Sequence, residues 1–156
     1  MISEDGVKIN TRGQYAVMAM VELANAGKDK PLPLSEIAEN AGISLSYLEQ
    51  LIAGMRRHDL VKSYRGPGGG YTLAKEPHDI IIAEILHAAE DSTPAKRHVL
   101  SGDRLRSCKY TRALMGHIEN ILEVTLTKIT LEDVLNKRLD EHPETSKVFE
   151  VLSESA

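Results

Sequence analysis

The segment ISLSYLEQL carries polar side chains of the kinds that form hydrogen bonds with the edges of nucleic-acid bases. Its apolar residues recur with helical spacing and are expected to face a core: Leu45, Leu48, Leu51 and Ile52. The outer face, near the N-terminal end of this helix, is expected to carry Ser46, Tyr47, Glu49 and Gln50. A glutamate can accept a hydrogen bond from the amino group of cytosine, and a glutamine can form two hydrogen bonds with adenine. Ser44 is expected to cap the helix and, with the helix N-terminus, to hold a phosphate.

A run of basic residues and a glycine-rich turn follow this helix. Between positions 56 and 65, Asp59 is opposed by Arg56, Arg57, Lys62 and Arg65. Such a patch can attract DNA although the formal net charge of the chain is −4, because the electrostatic field is local. Arg65 opens the turn RGPGGG and is expected to reach a minor groove, since narrow minor grooves attract arginine. The turn lacks the spacing of a dinucleotide-binding or phosphate-binding loop, which disfavours nucleotide binding.

Three helices and a hairpin are expected to position these residues. The first helix is predicted over Thr11–Ala26, and the second, SEIAENA, is predicted to be capped by Ser35. Gly42 supplies a left-handed turn, after which Ser44 begins a third helix that ends near Arg57. The pattern then changes to that of strands, which are predicted over Leu60–Tyr64 and Tyr71–Leu73.

The second half of the chain is predicted to be helical on either side of a polar stretch. A fourth helix is predicted to begin at Asp79, and the stretch from Asp91 to Lys109 is irregular. A fifth helix, predicted over Thr111–Ile129, has an apolar stripe that suits pairing with a second chain. Thr130 and Asp133 resemble a capping box for a short last helix.

These elements predict a mainly α fold with a small β-hairpin wing, that is, a winged helix-turn-helix followed by a long dimerisation helix. Helix-turn-helix shapes also occur in small helical domains by chance, and the wing with Arg65 is what favours DNA binding over a merely solvated helix face. The expected divisions are a winged helix-turn-helix DNA-binding domain (9–78), a sensor loop with dimerisation helices (79–139) and a flexible acidic tail (140–156). The expected partners are double-stranded DNA and a second copy of the chain.

Composition excludes several other classes of protein. Aromatic residues make up only 4%, which disfavours a single-strand binder that stacks bases on aromatic rings. No apolar run approaches the roughly 18 residues of a membrane span, and the N-terminus lacks an apolar signal core, so a cytoplasmic location without membrane association is expected. No nucleophile elbow, metalloprotease motif or pair of carboxylates in a plausible cleft is found, which disfavours an enzyme.

The segments RGQYAVMAM, ISLSYLEQLI and SYRGPGGGYTL together resemble the IscR-like family of iron–sulfur cluster regulators, over roughly residues 9–135. Members of that family are dimeric bacterial transcription regulators with an N-terminal winged helix and a long dimerisation helix. The resemblance implies that Ser46 and Glu49 read bases and that Arg65 enters the minor groove. It also implies nearby or backbone contacts from three further residues: Tyr47, Gln50 and Arg56.

The chain departs from this family at the sensing site. Cluster-binding members use three cysteines and a histidine, and the matching positions here are Lys96, Gly102, Cys108 and Thr111. One interpretation is a 2Fe-2S cluster held by Cys108 and non-cysteine ligands, for which His98 and His117 are candidates. Cys108 is also open to interpretation as a redox-sensing or residual thiol. The alternative is a winged-helix regulator without a metal cofactor, controlled by a partner protein or a small molecule.

Overall fold

Three helices followed by a hairpin form the first half of the structure. The structure, a computed structural model, describes residues 7, 9–92, 109–139 and 142–143. The helices are α1 (Thr11–Ala26), α2 (Leu34–Ala41) and α3 (Leu45–Arg57). The antiparallel hairpin consists of β1 (Val61–Tyr64) and β2 (Gly70–Leu73), and Val61 pairs with Leu73. This arrangement confirms the predicted winged helix-turn-helix, with strand boundaries within one residue of those expected.

Local signals explain most of the helix boundaries. The side chain of Asn10 caps α1 by accepting a hydrogen bond from the amide of Gly13 at 2.9 Å. Gly42 ends α2 in the left-handed conformation, with φ of 65°, as predicted. Buried Ala38 provides a small side chain near the turn, which allows α2 and α3 to approach each other.

The predicted cap of α2 is wrong. The helix begins at Leu34, so Ser35 lies inside its first turn and Pro33 occupies the cap position without a side-chain hydrogen bond. The φ of Pro33 is −64°, and its carbonyl oxygen accepts from the amides of Glu36 and Ile37. The helix therefore starts before Ser35 because the proline backbone is already set for it.

The loop before α2 fixes the position of the hairpin. Leu32 and Tyr71 exchange two backbone hydrogen bonds of 2.9 Å, which adds a third short segment beside β2. Gly70 lies so close to this segment that a Cβ there would come within 2.6 Å of the Leu32 carbonyl carbon and oxygen. The hairpin is thus held against the segment before α2 at Gly70 and Tyr71, near its turn, and the exposed residues 65–68 lie beyond this contact.

The second half contains α4 (Ile82–Glu90), α5 (Lys109–Leu126) and α6 (Leu131–Leu135). The predicted start of the fourth helix at Asp79 is wrong, because a short 3₁₀ turn over Pro77–Asp79 is followed by two extended residues. Those residues are needed for pairing with the segment before α6, in which the amide of Ile82 donates to the Ile129 carbonyl at 2.9 Å. The same pairing explains why α5 ends before Ile129.

A capping box at Thr130 and Asp133 starts α6, as predicted. The Asp133 carboxylate accepts from the backbone amide of Thr130 at 2.9 Å, and this hydrogen bond lowers the pKa of Asp133 below its usual value. Because the folded state favours the carboxylate, the cap contributes its stability at neutral pH and loses it as the pH falls through the lowered pKa.

One apolar core joins α1, α3 and α4 with the base of the hairpin and the start of α6. Its largest fully buried side chains include Met20, Leu23, Ile37, Leu48, Leu51, Ile52, Met55, Leu60, Ile80, Ile85 and Leu131. Helix α4 packs against both α1 and α3, so residues 79–92 share the core of residues 9–78. The predicted division at residue 78 therefore concerns the separate functions of the two segments and stays a prediction. The tail predicted over 140–156 lies outside the described residues except for 142–143. None of the described helices is long and apolar enough to cross a membrane.

The contact between α3 and α4 depends on Gly54. A Cβ at this position would lie 2.2 Å from the Ala88 carbonyl oxygen and 2.9 Å from the Ser92 Cβ, so the helices must separate to admit one. We expect Gly54→Ala to lower the free energy of unfolding by about 1–3 kcal/mol or more. Chemical denaturation of the variant measures this loss.

Gly116→Ala is the matched control, since Gly116 also lies inside a helix but a Cβ there meets no atom of the described residues within 4 Å. This change should leave the stability unchanged or raise it by up to about 1 kcal/mol. Equal effects of the two substitutions would contradict the proposed close contact.

Candidate nucleic-acid interface

The outer face of α3 is polar and exposed, while its inner face is buried. Ser46, Glu49 and Gln50 are exposed, as expected for side chains available to a partner. On the inner face, Leu48, Leu51 and Ile52 are buried, as predicted.

Leu45 was predicted to face the core, and this is wrong because its side chain is 44% exposed. Leu45 is the first residue of α3, and the core beneath the helix begins one turn later at Leu48. An exposed apolar side chain therefore lies beside the polar residues of the outer face.

Ser44 caps α3, as predicted. Its hydroxyl oxygen accepts a hydrogen bond from the Tyr47 amide at 3.2 Å, and Ser44 itself is exposed. The other amides of the first turn point out of the helix N-terminus, where they favour an anion. The cap leaves the start of α3 suited to a phosphate of DNA.

Tyr47 lies partly inside the protein and not wholly on the outer face. Its ring contacts the Tyr15 ring edge-to-face, with 6.0 Å between the centroids and an angle of 86°. The guanidinium carbon of Arg12 lies 5.4 Å from the centroid of the Tyr47 ring, and Arg12 Nε donates to the Ala89 carbonyl at 3.2 Å. Sequence reasoning missed Arg12, although its position three residues before Tyr15 places both on one face of α1.

The hairpin presents a separate basic surface. Arg65 directly follows β1 and is exposed, as are Lys62 on the same strand and Arg56 at the end of α3. Within the described ranges, these three side chains form no hydrogen bond or ion pair, so their charges are available to a partner. Gly66 and Gly68 have positive φ angles of 92° and 74°, which let the turn extend beyond Arg65.

Arg57 differs from its basic neighbours because it is used within the protein. Its Nη2 donates to the Asp91 carbonyl at 2.5 Å, and His58 Nε2 lies 2.6 Å from the Asp91 carboxylate. From the other side, Asn10 Nδ2 donates to the Glu90 carboxylate at 2.7 Å. We call residues 89–91 the α4 terminus; it binds both the start of α1 and the end of α3.

Of the three candidate metal ligands, only His117 lies within the described residues. Cys108 and His98 lie outside the described residues, and His117 is exposed on α5. In the ranges that the structure covers, no three His, Cys, Asp or Glu side chains form a group that could hold a metal ion.

Comparison with known proteins identifies the family. Residues 9–137 match the model of the Rrf2 family, described as an iron-dependent transcriptional regulator. The chain belongs to the Rrf2 family. It is therefore a DNA-binding transcription regulator with a winged helix, as predicted, and its family is not enzymatic.

The similarity of this Rrf2 regulator to its relatives extends over most of the chain. The HTH-type transcriptional regulator IscR of Photorhabdus laumondii is 39% identical over 137 residues, which cover 85% of this chain and 81% of that protein. The solved structure of T. potens IscR is 38% identical with a TM-score of 0.65, covering 88% of this chain and 92% of that one. CymR, described as the global cysteine regulator of B. subtilis, is 34% identical with a TM-score of 0.64, covering 84% of this chain and 98% of that one. The resemblance to the IscR-like family is thus confirmed.

Two serines at the start of α3 allow a structural role to be separated from the predicted DNA-binding role. Ser44→Ala removes the cap hydrogen bond to Tyr47 and should lower the free energy of unfolding by about 1 kcal/mol. Ser46→Ala, at an exposed position with no partner among the described residues, should change it by less than about 0.5 kcal/mol.

The corresponding DNA measurement uses a duplex selected from a randomised library with the wild-type protein. Ser46→Ala should weaken binding to this duplex although its unfolding is unchanged. A Ser46 variant with wild-type affinity and wild-type discrimination against a scrambled duplex would show that this hydroxyl reads no base.

Proposed function

We propose that this Rrf2 regulator binds a pseudo-palindromic operator as a homodimer, with α3 in the major groove of each half-site and the hairpin over the adjacent minor groove. The observation that carries the proposal is the exposed polar face of α3. The hairpin that follows it in the chain bears Arg65, which has no partner among the described residues. In this proposal, residues 9–78 bind DNA, and residues 79–139 detect the regulatory signal and form the dimer.

The roles of individual side chains follow from their exposure and chemistry. Ser46, Glu49 and Gln50 contact base edges, and Glu49 accepts a hydrogen bond from a cytosine amino group. Arg65 enters the minor groove, where the negative potential is strongest when the groove is narrow. Contacts near the DNA backbone come from Ser44, Tyr47 and Arg56.

The apolar face of α5 supports the homodimer. Six large side chains of this helix are exposed in the single chain: Tyr110, Leu114, Met115, Ile118, Ile121 and Val124. Tyr110, Leu114, Ile118 and Ile121 follow one another at spacings of four, four and three, so they form one stripe. A second copy of α5 can cover this stripe with the same stripe, because a twofold interface is self-complementary.

The signal that the protein senses is a separate question from DNA binding. The relatives named IscR and the family description connect this family with iron. The donor set of this chain does not match, since a 2Fe-2S cluster takes four ligands, mostly thiolates, and Cys108 is the only cysteine. Among the described residues, His117 belongs to no group of three or more His, Cys, Asp or Glu side chains that could hold a metal ion. A cluster held by Cys108 with His98 and His117 therefore stays a prediction.

Lys96, Gly102 and Thr111 at the other ligand positions favour a second candidate function, a regulator without a metal cofactor. A partner protein or a small molecule would then control it. The two candidates share the DNA-binding surface and differ only in what changes it.

Ile121→Glu tests the dimer. Ile121 is 53% exposed in the single chain, so a glutamate there is tolerated in a monomer but places a charge inside the proposed interface. We expect sedimentation at micromolar concentration to shift from dimer to monomer, and affinity for the full palindrome to fall to that for a half-site.

Asn120→Glu is the matched control, because the adjacent position lies about 100° around the helix and receives the same charge. It should remain dimeric. A wild-type protein that sediments as a monomer, or binds half-site and full site equally, would contradict the proposal.

Arg65→Ala and Glu49→Ala test the two kinds of DNA contact. Arg65→Ala should weaken binding to the selected duplex by about 5- to 150-fold with no loss of stability, since the exposed side chain leaves no cavity. Glu49→Ala should relax the sequence preference and raise affinity for scrambled duplex, because the carboxylate repels phosphates and rejects wrong bases.

Lys62→Ala controls for the loss of one positive charge on the same hairpin. It should weaken binding to selected and scrambled duplexes by similar factors. Unchanged discrimination between the two duplexes in the Glu49 variant would refute the role assigned to Glu49. Equal effects of the Arg65 and Lys62 substitutions would show that Arg65 contributes only electrostatic attraction that does not depend on the DNA sequence.

Cys108→Ser decides between the two candidate signals. Wild type and variant are reconstituted without oxygen, assayed for iron, sulfide and visible absorption, and then titrated with the selected duplex. Stoichiometric iron and sulfide in the wild type alone, with a change in DNA affinity, would support the cluster. Absence of iron uptake in both proteins, with equal DNA binding, would support the regulator without a metal cofactor.

A further inference from the structure

Tyr47 is held on one side by protein contacts and has an unused polar group. Its backbone amide is bound to Ser44, and its ring packs against Tyr15 and Arg12. The hydroxyl forms no hydrogen bond with any residue of the described ranges. A ring fixed in this way offers its hydroxyl to DNA at low entropic cost, because few rotamers remain to be lost on binding.

Arg12 is itself fixed before DNA binds. Its Nε donates to the Ala89 carbonyl at 3.2 Å, in the α4 terminus, and the residue is half-buried. Its backbone belongs to the first turn of α1, which Asn10 caps. The guanidinium is therefore held over the Tyr47 ring at 5.4 Å by two elements of the fold, whereas a surface arginine would move freely.

We propose that Arg12 is a positioning residue for DNA recognition, which holds the Tyr47 ring and with it the first turn of α3 in the orientation that contacts DNA. This inference rests on the proposed function. The attraction is between the guanidinium charge and the negative face of the aromatic ring, and it is stronger for a partly desolvated pair. We expect the loss of this attraction to change a binding constant by about five- to tenfold.

A direct phosphate contact is the competing role for an arginine near a DNA-binding helix. That role predicts a loss of affinity that is independent of sequence, together with a decrease of about one in the salt dependence of binding. A positioning role predicts neither. It predicts that the effect of Arg12 disappears when the ring that it positions has been removed.

The experiment is a double-mutant cycle with Arg12→Ala, Tyr47→Ala and the combined variant, each titrated against the selected and the scrambled duplex at several salt concentrations. Arg12→Ala alone should weaken binding to the selected duplex by about five- to tenfold and to the scrambled duplex by less than about twofold. In the Tyr47→Ala background the same substitution should change affinity by less than about twofold. Additive losses, equal losses on both duplexes, or a decreased salt dependence would overturn the proposal.

Arg12→Lys provides a second variant that keeps the charge and preserves folding if the alanine variant does not. A lysine cannot reproduce both the planar stacking on the ring and the Nε hydrogen bond to Ala89, so it should recover less than half of the loss. Full recovery of wild-type affinity would overturn the positioning role. The wild-type titration separately tests the proposed function, because failure to discriminate selected from scrambled duplex would reject that function whatever the Arg12 variants do.

Discussion

The close approach of α3 and α4 at Gly54 is the contact on which the position of α3 depends. With no side chain at Gly54, the Ala88 carbonyl can lie against the backbone of α3. Buried Met55 and Ile85 on the same two helices belong to the core that this approach closes. Since packed interiors do not deform continuously, a shift of α4 is transmitted to α3 and is not absorbed between them. The position of α3, the proposed recognition helix, therefore depends on a helix that lies outside the helix-turn-helix itself.

The charge of the interface serves selection as much as attraction. In the proposed mode of binding, this acidic chain contacts DNA through a small basic surface, in which Arg56, Lys62 and Arg65 are free of internal partners among the described residues. Glu49 lies exposed on the outer face of α3, where a carboxylate opposes binding to any phosphate backbone. In the proposed recognition, the Glu49 carboxylate weakens binding to every DNA sequence, and only the correct base offsets this loss by donating a hydrogen bond. Such an arrangement gives specificity, which is a difference between affinities.

Local chemistry made much of the fold predictable from the sequence. The range of α1, the left-handed turn at Gly42, the cap at Ser44, the hairpin and the capping box at Thr130 each depend on residues within a few positions of one another. One error arose where distant segments meet. The fourth helix starts late because its first residues pair with a segment some fifty positions away, around Ile129.

The same distinction applies to the site. Exposure of Ser46, Glu49 and Gln50 follows from helical spacing, and it was predicted. The burial of Tyr47 and the involvement of Arg12 follow from how α1 packs beside α3, which the sequence pattern does not contain. Leu45 shows the converse, because its spacing matches the core although the core ends before reaching it.

The α4 terminus has a thermodynamic consequence. It is bound by Arg57 and His58 from the end of α3, and by Asn10 and Arg12 from the start of α1. These contacts connect the order of one helical turn with the geometry that meets DNA, and free-energy coupling between two events is reciprocal. A ligand that orders or disorders the α4 terminus, and thereby shifts α3, changes the affinity for DNA by some factor. DNA then changes the affinity for that ligand by the same factor. In the proposed function, the operator is thus an effector of the α4 terminus as much as the target of the protein, whatever the chemical nature of the signal.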